Sequence, residues 1–221
     1  MTRDGIRDIV SRFAYAAAYL HRAGFDGVQV NLYSVPQSHT KLSKIHAAHG
    51  YLIHQFLSRR TNNRTDEYGG TLQNRMRILL EIITEIKRVV EDPAFLISVK
   101  INCDDSVANG INVDESIVTA KALENAAVDL IEVSGRTYEQ DQKPVRNTVG
   151  PIAFHIEKKA PFDVFSYQNI SAAAREAYFI DFAERLRPHL KRSKIAVTGG
   201  FRSTQAMAEA INSGSADGPL N

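Results

Sequence analysis

Four short, almost wholly apolar runs, each separated from the next by a helix-length amphipathic segment, restrict this chain to one kind of sheet. The runs are "FDGVQV" (25–30), "FLISVKI" (95–101), "VDLIEVS" (128–134) and "KIAVTGG" (194–200). Near-continuous apolar strands belong to parallel sheets, and parallel neighbours need crossovers long enough to be helices. From Ile6 to Ala23 the residues Ile6, Ile9, Val10, Phe13, Ala17 and Leu20 recur at three- and four-residue steps, and Gly24 closes the pattern. Leu72 to Val90 repeats it through Met76, Leu79, Ile83, Ile86 and Val90, with Pro93 as the stop. Asp114 is expected to cap a third helix through Ala126, and Ser171 a fourth that ends near Arg187, before Pro188. A polar, proline-containing loop is expected over Gly135 to Asn169, a fifth helix over Ser203 to Gly214, and the approach to another strand at "SADG". The class is α/β, and both a doubly wound sheet and a TIM barrel satisfy this order.

Composition narrows the function. At 221 residues, 43% hydrophobic and 24% charged, the chain suits one globular domain or a large piece of one. The net charge is only +2 and the basic residues are scattered, so no nucleic-acid partner is expected. The single Cys103 excludes an intrachain disulfide, a four-cysteine cluster and a thiolate zinc site. "MTRDGIRDIV" has no apolar core of a signal peptide, and no run approaches the roughly 18 apolar residues that a spanning helix needs. A soluble, cytoplasmic protein without a membrane partner is the expectation.

In parallel α/β folds the chemistry lies beyond the carboxyl ends of the strands. There the sequence offers His46, His49 and Tyr51, then Lys100, then Glu132, Ser134 and Gly135, then Thr198, Gly199 and Gly200. Two imidazoles, a phenol, a cation and a diglycine turn suit an anionic or carbonyl ligand carrying a phosphate. Gly-Gly before a helix lets backbone amides approach a phosphate, although it is also an ordinary turn. On a helical turn His46 and His49 would share one side. They could then be metal ligands without an obvious third partner, structural histidines, or two donors to one developing oxyanion with Tyr51 exchanging a proton.

"IHAAHGYLIHQFLS" followed by "TNNRTDEYGGTLQNRMRILLEII" closely resembles the old yellow enzyme family of flavin-dependent ene-reductases, the NADH:flavin oxidoreductases. The resemblance continues in "GFDGVQ", "DLIEVSGRTYE", "REAYFIDFAERLRP" and "VTGGFRSTQAMAEAINSG", and is greatest to fungal members. It implies a partial TIM (β/α)8 barrel holding about strands 4 to 7 with their helices. It also implies FMN as cofactor, NAD(P)H as reductant and an α,β-unsaturated carbonyl compound as small-molecule substrate. His46 and His49 would hold the substrate carbonyl oxygen and Tyr51 would deliver a proton. Lys100 would stand beside the pyrimidine end of the flavin, with Gly199, Gly200, Phe201 and Arg202 near the phosphate, and no metal is implied. "RTDEYGG" reads as a packing loop, with Arg64 a further contact to the site.

Two departures matter. In the family "GFDGVQ" runs directly into "IHAAHGY", whereas here the 15 residues from Val30 to Lys44 intervene. Their length is a whole number of codons, valine codons begin with GT and a lysine codon can end in AG. The segment therefore reads as a retained intron, with a surface insertion as the alternative. The chain also carries fewer strands than the eight of a closed barrel, so the alternative to an ene-reductase is a non-catalytic fragment that does not retain FMN.

Overall fold

The computed structural model describes residues 1–28, 45–105, 107–135, 179–198, 201 and 203–220. The long segments 29–44 and 136–178, which hold the intervening segment, the polar loop and Ser171, lie outside the described residues, as do Gly199, Gly200 and Arg202. Helix α1 spans Arg3–Arg22 and leads to β1 (Gly27–Val28). Strand β2 (Ile45–Ala47), the short helix α2 (Leu52–Leu57) and α3 (Leu72–Val90) follow. Next come β3 (Leu96–Asn102), α4 (Val113–Asn125), β4 (Leu130–Ser134) and α5 (Ile180–Leu186). A 3-10 turn at Arg187–His189, β5 (Lys194–Thr198), α6 (Thr204–Asn212) and β6 (Gly218–Leu220) complete the order.

Helices α1 and α3 sit where the apolar periodicity places them, α2 is a short helix the periodicity does not mark, and the helix ends have local causes. Thr71 accepts a hydrogen bond from the Asn74 amide at the start of α3, and Glu91 in the left-handed conformation (φ 53°) ends it ahead of Pro93. Asn112, not Asp114, caps α4: its side chain accepts from the Glu115 amide, while Asp114 and Glu115 complement the dipole in the first turn. A polar side chain one position before the helix competes better for the orphan amides than one already inside it. Ser203 caps α6, its side chain accepting from the Ala206 amide.

All paired strands run parallel, in the order β1-β3-β4-β5-β6, with β2 also on β3. The register shows what β1 and β2 are. Gly27 and Val28 lie opposite Leu96 and Ile97, and Ile45, His46 and Ala47 lie opposite Val99, Lys100 and Ile101. Only Ser98 of β3 falls between, so β1 and β2 are two halves of one strand position with room for a single residue at the join.

Strand alternation sorts the side chains by face. Val28, Ile45, Ala47, Ile97, Val99, Ile101, Ile131, Val133, Ile195 and Val197 join a buried apolar cluster with Ile6, Ile78, Leu79, Ile82, Ile83 and Ile86 of α1 and α3. The opposite face carries His46, Ser98, Lys100, Asn102, Glu132, Ser134 and Thr198. Helices cover the apolar face, and the polar face is the one left for a ligand.

Candidate active site

Strand β2 delivers His46 to the polar face, beside Lys100 in register. The chain then turns through His49 (φ 59°) and Gly50 (φ 80°), two successive left-handed residues, before Tyr51 begins α2. A histidine in that region costs about 1 kcal/mol relative to ordinary backbone, and it is held there by contacts described below. This corrects the helical-turn geometry expected for the pair. The ring centroids of His46 and His49 are 5.0 Å apart and those of His46 and Tyr51 4.6 Å apart, both edge-on. A strand end followed by a reversed turn gathers all three rings, and all three are half-buried.

The hydrogen bonds fix what each ring offers. The Ala48 amide donates to Nδ1 of His46 at 3.3 Å, so the neutral ring carries its proton on Nε2. The His49 amide donates to Oδ1 of Asn102 at 3.2 Å, and His49 Nε2 lies 2.7 Å from Oγ of Ser134.

Lys100 is 7% exposed and Glu132 fully buried, with Nζ and Oε1 2.9 Å apart. The Thr198 hydroxyl donates to the same carboxylate oxygen. The pair is made inside the fold, where an isolated carboxylate would cost several kcal/mol. Phe201 is buried after β5, while Gly199, Gly200 and Arg202 beside it lie outside the described residues. Arg64 makes a fork with Asp66, donates to the Met1 carbonyl and lies 5.9 Å from the ring centroids of Phe56 and Tyr68. The hydrogen bonds from Arg64 draw the Asp66 carboxyl down to about 2. Asp66 and Tyr68 belong to the packing loop, whereas Met1 and Phe56 tie Arg64 to the N-terminus and to α2.

Sequence reasoning missed a buried polar cluster behind the histidines. Asp105, fully buried, takes Nε2 of His54 at 2.8 Å and Nδ2 of Asn102 at 2.8 Å on one oxygen, and the Ile111 amide at 2.8 Å on the other. Burial alone would push its carboxyl up, but the hydrogen bond and charge of His54, with those from Asn102 and Ile111, hold it below the usual range. The one signal in sequence was His54 on the buried side of α2, in phase with Tyr51. Cys103 is buried and its thiol is pushed up to about 12 by desolvation, so it offers no thiolate to the site. Gly135, just past β4, is a packing requirement: a Cβ there would lie 2.5 Å from Cε1 of Phe179. No group of three His, Cys, Asp or Glu able to hold a metal occurs among the described residues.

Residues 1–217 match the NADH:flavin oxidoreductase / NADH oxidase family. An NADH-dependent flavin oxidoreductase of Aspergillus parasiticus is 39% identical over 210 residues, covering 95% of this chain and 39% of the fungal protein. NADPH dehydrogenase of Bacillus subtilis is 40% identical over 134 residues, which is 61% of this chain and 34% of the bacterial one. Among solved structures, a 2-naphthoyl-CoA reductase complex superposes with a TM-score of 0.74 at 24% identity, covering 98% of this chain and 27% of its own. The old yellow enzyme homologue from Zymomonas mobilis does so with a TM-score of 0.63 at 21% identity, covering 100% of this chain and 49% of its own. At these identities the superpositions show the fold, part of an old yellow enzyme TIM barrel. The chain spans less than half the length of these relatives. It belongs to the NADH:flavin oxidoreductase / NADH oxidase family, the old yellow enzymes, whose members are FMN-dependent and use NAD(P)H.

Proposed function

We propose that the chain derives its activity from FMN and NAD(P)H and reduces the C=C bond of α,β-unsaturated carbonyl compounds. The observation that carries this is the gathering of His46, His49 and Tyr51 within 5.0 Å ring-to-ring steps, on the polar face and beside Lys100. The donor chemistry of that face fits a flavin. A buried ammonium paired with Glu132 suits the electron-rich pyrimidine end, and the N-terminus of α6 beyond Phe201 suits the phosphate. Lys100 would hold the first, and Phe201 with Gly199, Gly200 and Arg202 would lie near the second.

Bound FMN would supply the hydride that reaches the β-carbon. The protein's part is electrostatic and positional. His46 donates from Nε2 to the substrate carbonyl oxygen, His49 adds a second donor, and negative charge developing on that oxygen is stabilised as it forms. Tyr51, edge-on to His46, holds the proton that the α-carbon receives. One hydride and one proton are added and the C=C π bond is lost, which balances the reaction.

The test is to incubate the 221-residue chain with FMN, remove free flavin by gel filtration and record the visible spectrum of the protein peak. A flavin band shifted from that of free FMN is expected, and Lys100→Met should weaken retention by about tenfold through loss of one charged hydrogen bond. Anaerobic loss of NADPH absorbance with 2-cyclohexenone then tests the reaction. A second reading, a non-catalytic fragment, draws on the chain's spanning less than half its relatives, and a colourless protein peak would favour it.

A further inference from the structure

We propose that Ser134 is a positioning residue that sets which ring nitrogen of His49 carries the proton. The inference rests on the reading of the histidine pair as the holder of a substrate oxygen, and deepens it.

Asn102 and Ser134 are register partners, the last residues of β3 and β4. Both reach across to His49. Asn102 takes its peptide N–H through Oδ1, and Ser134 meets its ring at Nε2. The orientation of the Asn102 amide follows from Asp105, whose carboxylate can only accept and therefore claims Nδ2, turning Oδ1 toward His49. That grip holds the left-handed His49 peptide, and Ser134 meets the ring at Nε2.

A serine hydroxyl can donate or accept, and the two choices differ for the site. If Ser134 accepted, the Nε2 proton of neutral His49 would be consumed and Nδ1 would turn a lone pair, not a proton, toward a carbonyl oxygen, which it repels. If Ser134 donates, Nδ1 carries the proton and the ring remains a hydrogen-bond donor. His46 follows the same logic with the nitrogens exchanged: the Ala48 amide fills Nδ1, so Nε2 donates. Each imidazole is thus filled at one nitrogen by a donor of the protein and made a donor at the other. Two neutral donors can serve one oxygen without either ring having to be charged.

The deciding measurement is a ring 1H–15N correlation spectrum of the full chain with 15N-labelled histidine at about pH 8, above the ordinary histidine range. His49→Gln identifies the His49 signals by their loss. The wild-type ring should carry its proton on Nδ1, Ser134→Ala should move it to Nε2, and Ser134→Thr, which keeps the hydroxyl, should restore Nδ1. A wild-type His49 protonated on Nε2 would overturn the assignment whether or not either variant folds, and so would a Ser134→Ala spectrum identical to wild type. Titration of the same proteins with 4-nitrophenolate, a minimal oxyanion, separates the two levels. Ser134→Ala should bind it about tenfold more weakly, the loss of one charged hydrogen bond, while Ser134→Thr keeps the affinity. A wild type that shows the Nδ1 proton yet ignores the phenolate would sink the oxygen-holding reading and leave the tautomer assignment intact.

Discussion

At the scale of single residues, the site depends on polar groups that do not face a ligand. Asp105 is the hub, because it fixes the Asn102 amide that grips His49 and the His54 ring on the helix that begins at Tyr51. An amide in its place must turn an NH2 toward either Asn102 and His54 or the Ile111 amide, so Asp105→Asn loses at least one buried hydrogen bond whichever way it lies. Loss of about 3 kcal/mol of unfolding free energy at pH 7 is expected from urea titration. Because the folded-state carboxyl sits below its ordinary value, its stabilisation is fully present above the unfolded value of about 3.9 and is lost as pH falls toward the folded one. The gap between wild type and variant should therefore be flat above about pH 5 and narrow below about pH 4, and a gap independent of pH down to that range would refute the argument.

At the scale of elements, the split strand is the feature with consequences. Sixteen residues separate Val28 from Ile45, yet the register against β3 leaves one place between them, opposite Ser98. Fifteen residues are in excess, the length of 30–44, and Gln29 can fill the remaining place. Parity agrees: with Gln29 joined to Ile45, Val28, Ile45 and Ala47 share the apolar face and His46 the polar one, as their burial requires. We propose that the segment is a retained intron, and sequencing of the mature transcript across Gln29 and Ile45 tests it; a message that uniformly contains the segment would sink it. Independently of its origin, deleting 30–44 should raise the unfolding free energy by about 2 kcal/mol, the cost of closing a loop of that length. Equal or lower stability of the deletion variant would show that the segment contributes contacts of its own.

At the scale of the molecule, the described strands form an open sheet with β1 and β2 at one edge and β6 at the other. Unpaired edges template pairing with other chains unless something covers them. Sedimentation velocity on the 221-residue chain is expected to show concentration-dependent association, and a single monomeric species from micromolar upward would mean that the edges are covered within the chain. No helix among the described residues is long and apolar enough to cross a membrane, and a cytoplasmic site of action remains our proposal. Helices and strands were legible in the sequence because burial imposes its period on apolar residues: α3 begins at Leu72 and ends at Val90, the apolar runs contain β4 and β5 as read, and β3 passes the end of its run by one residue, to Asn102. The candidate triplet His46, His49 and Tyr51 was legible as residue types, and the roles proposed for it rest on resemblance. Its geometry was not, since the pairing of His46 with Lys100 and the clamp by Asn102 and Ser134 on the left-handed His49 join residues far apart in the chain. Nor could the apolar runs reveal that Lys100 meets Glu132 in register and that Asn102, just past its run, meets Ser134, so that the four line one polar face. Local spacing dictates which element a segment becomes, whereas strand register decides which side chains meet, and register exists only once the sheet has formed.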